Sequence, residues 1–163
     1  MVAFAFVGDA FGDAHEAVQQ ARLEQGYARV AMRVGDKACA DALLGAERAV
    51  QAAYRGLWAD PNFAPLSAKN LPRLQAERGR FALVEGKDLS VRESGATIYV
   101  NFGRRWTRDF TVTILPRLQK AFAAAGIEPK TLAGRRIQVR GWIEQRGGPV
   151  IAAEAPERIE LLE

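Results

Sequence analysis

The hydrophobic period changes partway along the chain, and that change limits what the chain can fold into. Up to residue 58 apolar residues recur at spacings of three and four, whereas beyond residue 79 they alternate with polar ones. A period of 3.6 places side chains on one face of a helix and a period of 2 on one face of a strand, so helix packing and sheet packing fall to different stretches. Residues 59–79 hold Asp60-Pro61, Pro65, Pro72 and Gly79 with no sustained period and read as a linker. There is no internal repeat and no low-complexity tract.

Residues 1–58 read as strand, helix, strand, helix. Phe4 and Phe6 alternate with small residues in Val2 to Val7. Asp13 and Glu16, three apart, fit a capping box with Asp13 as N-cap, and Gly26 closes the helix that follows. Tyr27 to Met32 reads as a short strand. Gly35-Asp36 opens a second helix whose stripe is Cys39, Leu43, Ala46, Val50, Ala53 and Leu57. Gly56 is placed to end it, with Leu57 and Trp58 folding back onto the core.

Residues 80–163 read as a barrel. Phe81 to Val91 is a long strand broken by Gly86; Ile98, Val100 and Phe102 alternate with Thr97, Tyr99 and Asn101; Phe110, Val112 and Ile114 alternate with Asp109, Thr111 and Thr113. A helix follows, with Pro116 at its first turn, Leu115, Leu118 and Phe122 on one face and Gly126 as its stop. Ile137, Val139, Gly141 and Ile143 then alternate with Arg136, Gln138, Arg140 and Trp142, and after the Gly147-Gly148 turn come Val150-Ile151 and Ile159 to Leu162. Three strands, a helix and two or more further strands are the order expected of a five-stranded OB barrel whose helix plugs the barrel between strands three and four. The expected class is α+β.

Composition removes several functions. A chain of 163 residues with 48% hydrophobic and 26% charged residues is ordinary globular material. No apolar run approaches the roughly 18 to 20 residues that span a bilayer. Val2 to Val7 lacks the basic flank and length of a secretory signal, so the chain as written reads as cytoplasmic, and as exported if its true start lies upstream of Met1. One cysteine, Cys39, and one histidine, His15, allow no internal disulfide and no Cys/His zinc set, and with His15 the one imidazole that could serve as base a Ser-His triad is not expected. Asp9, Asp13, His15 and Glu16 read as charges at a helix start rather than as a metal site, and Cys39 reads as a core residue. No cofactor is called for.

The charge is unevenly placed. Residues 1–78 balance 9 Lys and Arg against 9 Asp and Glu, while residues 104–146 hold 10 basic residues against 3 acidic. Most of the excess is arginine, whose planar fork suits phosphate and stacks on bases. Arg136, Arg140 and Trp142 share one parity of a strand, Tyr99 lies on the outward parity of another, and Arg104, Arg105, Trp106 and Arg108 crowd the turn between strands two and three. Basic grooves with interleaved aromatics are how OB folds hold single strands, so these eight residues are the expected contacts. The competing reading is a scaffold, with the tryptophans covering the barrel and the arginines paired with Glu144, Glu154 or Glu157.

Residues 24–58, through Gln25-Gly26-Tyr27-Ala28-Arg29-Val30, Glu47, Ala49 and Arg55-Gly56-Leu57-Trp58, resemble the C-terminal third of a staphylococcal-nuclease-like (thermonuclease) domain. Residues 79–163, through Tyr99-Val100-Asn101-Phe102-Gly103, Trp106, Asp109-Phe110-Thr111-Val112, Val139-Arg140-Gly141-Trp142 and Pro156-Glu157-Arg158-Ile159-Glu160, resemble the OB-like module that follows it in some bacterial members. The resemblance implies a family that cleaves nucleic-acid phosphodiesters with calcium-binding carboxylates, a glutamate base and two arginines. Those groups precede the strand that Val2 to Val7 resembles, so no residue here inherits a catalytic role.

Three expectations follow: a non-catalytic remnant whose OB module binds single-stranded DNA or RNA weakly and without sequence preference; the C-terminal portion of a calcium-dependent nuclease whose catalytic half lies upstream of Met1; or an assembly module that dimerises through the Phe4/Phe6 edge strand.

Overall fold

The computed structural model describes residues 6–7, 16–31, 37–105 and 107–162, with side chains from residue 20 onward. The chain divides into two compact units, Met1–Ala64 and Pro65–Glu163. Among the described residues no helix is long and apolar enough to cross a membrane.

In the first unit, strand β1 (Phe6–Val7) pairs antiparallel with β2 (Glu16–Ala17), and helices α1 (Val18–Glu24) and α2 (Lys37–Ala52) follow. The expected capping box does not open α1. Glu16 is drawn into the ladder with Val7 and the helix begins at Val18; Phe4, Asp9, Asp13 and His15 lie outside the described residues. Gly26 does end α1. Its φ of 76°, with Gly26 N–H donating to Leu23 O (2.8 Å) and Tyr27 N–H to Arg22 O (2.9 Å), is a Schellman motif.

Two expectations for this unit are corrected. Residues 28–31 are irregular rather than a strand, because the Val30 amide donates to Glu47 Oε2 at 2.5 Å, a carboxylate standing where a neighbouring strand would supply a carbonyl. Gly56 does not stop α2. Tyr54 does, in the left-handed region at φ 52°, with Tyr54 N–H donating to Gln51 O and Arg55 N–H to Val50 O. Gly56 instead starts a 3-10 turn, Gly56–Ala59, that buries Trp58, and Leu57 N–H donates to Gly26 O at 2.8 Å. The two helix ends meet there so closely that a Cβ on Gly26 would lie 2.7 Å from the Arg55 carbonyl oxygen. Leu23, Val30, Leu43 and Leu44 form the core, with Cys39 packed at its edge.

The second unit begins inside the stretch expected to be a linker. Strand β3 (Leu66–Ser67) pairs parallel with β4 (Phe81–Lys87), and helix α3 (Leu71–Ala76) is capped by Asn70, whose Oδ1 accepts from the Arg73 amide at 3.2 Å. Pro72 falls in the first turn, where its missing N–H costs nothing, and Leu74 is fully buried. The remaining elements are β5 (Ser90–Ser94), β6 (Thr97–Asn101), β7 (Thr111–Ile114), α4 (Gln119–Ala124), β8 (Arg136–Trp142), β9 (Glu144–Arg146), β10 (Gly148–Ala152) and β11 (Ile159–Leu162).

They form a five-stranded sheet in the order β5-β6-β7-β10-β9 and a four-stranded sheet in the order β11-β8-β4-β3. Residues 81–94 and 136–146 each run as one bent strand through both sheets, and 148–162 returns antiparallel along 136–146. Counting bent strands once, and setting aside the two-residue β3, gives five, with α4 between the third and fourth and its Phe122 fully buried. This is an OB-like unit in an α+β chain, built as two sheets joined at strand bends rather than one continuous ladder. Val84, Val100, Val112, Ile137, Val139 and Ile151, each 0% exposed, line the shared core.

The first bend lies at Asp88 and Leu89, not at the expected Gly86, which stays in the ladder opposite Ile137. Gly86 is required there for space, since a Cβ would lie 2.7 Å from Ala68 Cβ. Asp88 is buried and neither carboxylate oxygen makes a hydrogen bond of ordinary geometry. Burial pushes its carboxyl above the ordinary value, while the nearby amides of Arg135 and Gly134 pull back. A carboxyl raised on folding favours the folded state below its unfolded pKa, and that contribution is lost as pH rises through the folded pKa. Asp88→Asn should therefore stabilise the unit at pH 7, with the advantage shrinking as pH falls toward about 4. Urea denaturation across that range checks this; a variant less stable at pH 7 would mean that the amides hold the carboxylate ionised.

Candidate nucleic-acid interface

The register of the five-stranded sheet lays the candidate residues in rows. Arg92 lies opposite Tyr99 and Tyr99 opposite Thr113; Ser90 lies opposite Asn101 and Asn101 opposite Thr111. The alternate positions Ile98, Val100 and Val112 fill the core, so these rows occupy the other face. That face is not open throughout. Asn101, Thr111 and Thr113 are buried, with Thr111 Oγ1 donating to Asn101 Oδ1 at 3.3 Å, whereas Tyr99 and Ser90 are half-buried and Arg92 is exposed. The accessible part is the rim formed by β5, Tyr99 and the loop after β6.

That loop, residues 102–110, is firmly held. Phe102 and Phe110 pack at 5.0 Å between ring centroids, and Phe102 N–H donates to Phe110 O at 3.1 Å. Above them Arg108 and Asp109 donate their amides to Arg105 O, and Asp109 Oδ2 accepts the Arg105 amide at 2.7 Å. The β9–β10 turn abuts the loop, where a Cβ on Gly148 would lie 2.5 Å from the Asp109 carbonyl oxygen. Arg104, Arg105 and Arg108 project from this base and are exposed; Trp106 lies outside the described residues. A cleft of about 230 Å³ opens between the loop and β5, lined by Leu89, Ser90, Arg92, Asn101, Gly103 and Arg104.

The structure does not bring all eight expected contacts together. Arg136, Arg140 and Trp142 lie on β8, in the four-stranded sheet, and the two arginines there are occupied. Arg136 pairs with Glu85 at 3.5 Å, and Arg140, only 2% exposed, pairs with Glu160 and donates to Gln138 Oε1 at 3.4 Å. Gln138 donates on to Glu85 Oε1 at 2.7 Å, closing a polar chain across three strands. Arg140 is thus a scaffold residue, and Glu160 on β11 is a partner that the expected set of Glu144, Glu154 and Glu157 did not include. Trp142 is exposed and packs edge-on to Phe81 at 6.1 Å, beneath which the buried Arg158 guanidinium sits 5.8 Å from the Phe81 ring. Burial pulls Arg158 below its ordinary pKa against the attraction of Glu154 and Glu157.

Around the rim the pairing is different. Arg92, Arg104, Arg105 and Arg108 have no carboxylate partner among the described residues, while Arg146 pairs with Glu144 at 2.7 Å and Lys130 with Glu93 at 2.9 Å. Arg92 escapes a search for arginine clusters because it stands alone in sequence. Its signal is the alternation of Ser90, Arg92 and Ser94 after the bend, which counted back across the Gly95-Ala96 turn sets Arg92 opposite Tyr99. Among the described residues no group of three or more His, Cys, Asp or Glu is placed to hold a metal ion.

Fold and site together define an α+β chain whose second unit is OB-like and carries exposed arginines that have no carboxylate partner among the described residues, one of them opposite a tyrosine. No family model matches the chain, and no curated protein does. Among solved structures it is similar to an aspartyl tRNA synthetase from Entamoeba histolytica, at 10% identity and a TM-score of 0.40 over 63% of this chain and 23% of that one. It is also similar to a lipoprotein from Klebsiella pneumoniae subsp. pneumoniae MGH 78578 proposed to bind nucleic acid, at 11% identity and a TM-score of 0.34 over 58% of this chain and 80% of that one. The chain thus spans under a quarter of the synthetase.

If Arg140 is scaffold, its loss should register in stability. Arg140→Ala removes the buried guanidinium that pairs with Glu160 and should cost about 3 to 5 kcal/mol in urea denaturation, while Arg140→Met with Glu160→Leu should recover most of that loss. A single variant of unchanged stability would contradict the assignment.

Proposed function

We propose that the Pro65–Glu163 unit binds single-stranded nucleic acid weakly and with little sequence preference, through the rim of β5, Tyr99 and the 102–110 loop. The observation that carries this reading is the set of four exposed arginines, Arg92, Arg104, Arg105 and Arg108, that have no carboxylate partner among the described residues, with Arg92 opposite the partly exposed Tyr99. Arginine left exposed and unpaired keeps its charge and donors for an external anion, and phosphate is the anion its fork fits best. Tyr99 offers a ring on which a base can stack, worth about 1 to 3 kcal/mol per base. Trp106 follows Arg105 in the chain and belongs to the same proposed contact set. Arg136 and Trp142, on the other sheet, are secondary contacts at most, and Arg140 is withdrawn from the set. The rim offers charge and a stacking face, contacts that any base and any phosphate can make, which supports a sequence-tolerant mode.

We read the first unit as a non-catalytic remnant of a thermonuclease-like domain. The residues that carry the resemblance form one packed joint: Glu47 takes the Val30 amide, Gly26 takes the Leu57 amide, and Trp58 is buried at the end of α2. Their roles there are architectural.

Fluorescence titration of labelled oligonucleotides at several salt concentrations tests the binding. Four neutralised phosphates on a single strand should give log affinity against log salt a slope of about −3, near 0.7 per phosphate. Replacing Arg104 and Arg105 together with Ala should flatten it by about 1.4. No binding at low salt, or a slope the double variant leaves unchanged, would overturn the reading.

A further inference from the structure

We infer that the cleft between β5 and the 102–110 loop is a pocket for a terminal phosphate monoester, so that the module prefers a phosphorylated strand end to an internal stretch; this rests on the nucleic-acid reading of the rim.

The first argument is charge. The cleft is lined by two guanidinium side chains, Arg92 and Arg104, and by no carboxylate. Neither arginine has an ion-pair partner among the described residues. The adjacent carboxylate, Asp109, is taken up by the Arg105 amide within the loop and is not part of the lining. An internal phosphodiester brings one negative charge, whereas a monoester brings about 1.5 to 2 at pH 7 and three acceptor oxygens. Two arginines at one cleft match the monoester in charge and in donor number.

The second argument is size and surroundings. About 230 Å³ holds a phosphate with part of its sugar, and is below the roughly 300 to 1,000 Å³ typical of pockets for larger ligands. The other polar lining residues are Ser90, whose hydroxyl can donate to a phosphate oxygen, and Asn101, whose amide is held by Tyr99 O and Thr111 and brings no charge to oppose it. The apolar lining comes from Leu89, whose side chain is 52% exposed at the strand bend although its amide is tied to Asn101 O at 2.7 Å. An exposed leucine fixed at the mouth of a basic cleft gives the sugar an apolar surface.

The third argument is continuity. Arg92 is registered opposite Tyr99, and Arg104 begins the arginine series of the loop. A strand whose end is held in the cleft therefore meets Tyr99 and the loop arginines with the nucleotides that follow. Nothing in the lining distinguishes a 5′ from a 3′ phosphate, and the shared chemistry is the monoester dianion.

Titration of one short oligonucleotide in three forms, with a 5′ phosphate, with a 3′ phosphate and with neither, tests the pocket in the full chain. At least one phosphorylated form should bind about tenfold more tightly at pH 7.5, and the advantage should shrink below about pH 6 as the monoester takes up its second proton. Arg92→Ala and Arg104→Ala, both at exposed positions, should bring the ratio of phosphorylated to unphosphorylated affinity close to one. Equal binding of all three oligonucleotides would overturn the pocket and leave the rim standing. A preference that survives both substitutions would likewise overturn it. Failure of every form to bind would overturn the pocket and the nucleic-acid reading together.

Discussion

The second unit depends on two strands that each belong to two sheets. Residues 81–94 pair first with 136–142 and then with 97–101, and residues 136–146 pair first with 81–87 and 159–162 and then with the strand from 148. Because the chain passes from sheet to sheet through covalent bends, the inner faces are held over one another and share a single apolar core. Valine and isoleucine supply most of that core, and their stiff, branched side chains suit a pleated surface buried on one side. The bend at Asp88 and Leu89 is where this arrangement meets the candidate site. It turns β5 away from the four-stranded sheet, leaves Leu89 exposed and presents Arg92 beside Tyr99.

The same architecture sorts the arginines into two populations. On the four-stranded sheet, Glu85, Gln138 and Glu160 interleave with Arg136 and Arg140, and the charges are consumed within a ladder of hydrogen bonds. A buried pair of this kind specifies which strands lie side by side more than it adds to stability, since desolvation offsets much of the attraction. At the rim of the five-stranded sheet Glu93 and Glu144 pair with Lys130 and Arg146 rather than with the four arginines, and the loop that carries three of them spends its one carboxylate on its own backbone. Local charge by sequence is similar in both places. What differs is the identity of the cross-strand neighbour.

Sequence alone makes much of the fold legible, because periodicity and helix stops are local properties. The alternation at 97–102 and 109–114, the helix after Pro116 and the left-handed Gly26 all lie where local rules put them. The misreadings share a cause: a long-range partner decided the outcome. Residues 28–31 need Glu47 from the next helix to satisfy Val30, and Tyr54 takes a glycine's place at the end of α2. Helix α3 sits among prolines that suggest a linker, yet Leu74 finds the barrel core. For the site, the loop arginines were visible as a cluster, whereas the burial of Arg140 against Glu160, twenty residues away, was not. Arg92 was missed because its importance comes from the residue across the hairpin.

The central claim is that nucleic acid meets the rim of the five-stranded sheet and not the face of β8. Backbone amide chemical-shift mapping by NMR, with a short unphosphorylated oligonucleotide added to the full chain, tests it directly. Shifts concentrated at residues 89–94, 99 and 102–109, with residues 136–141 unmoved, are the expected result. Shifts centred on residues 136–142, or spread evenly over both sheets, would contradict it.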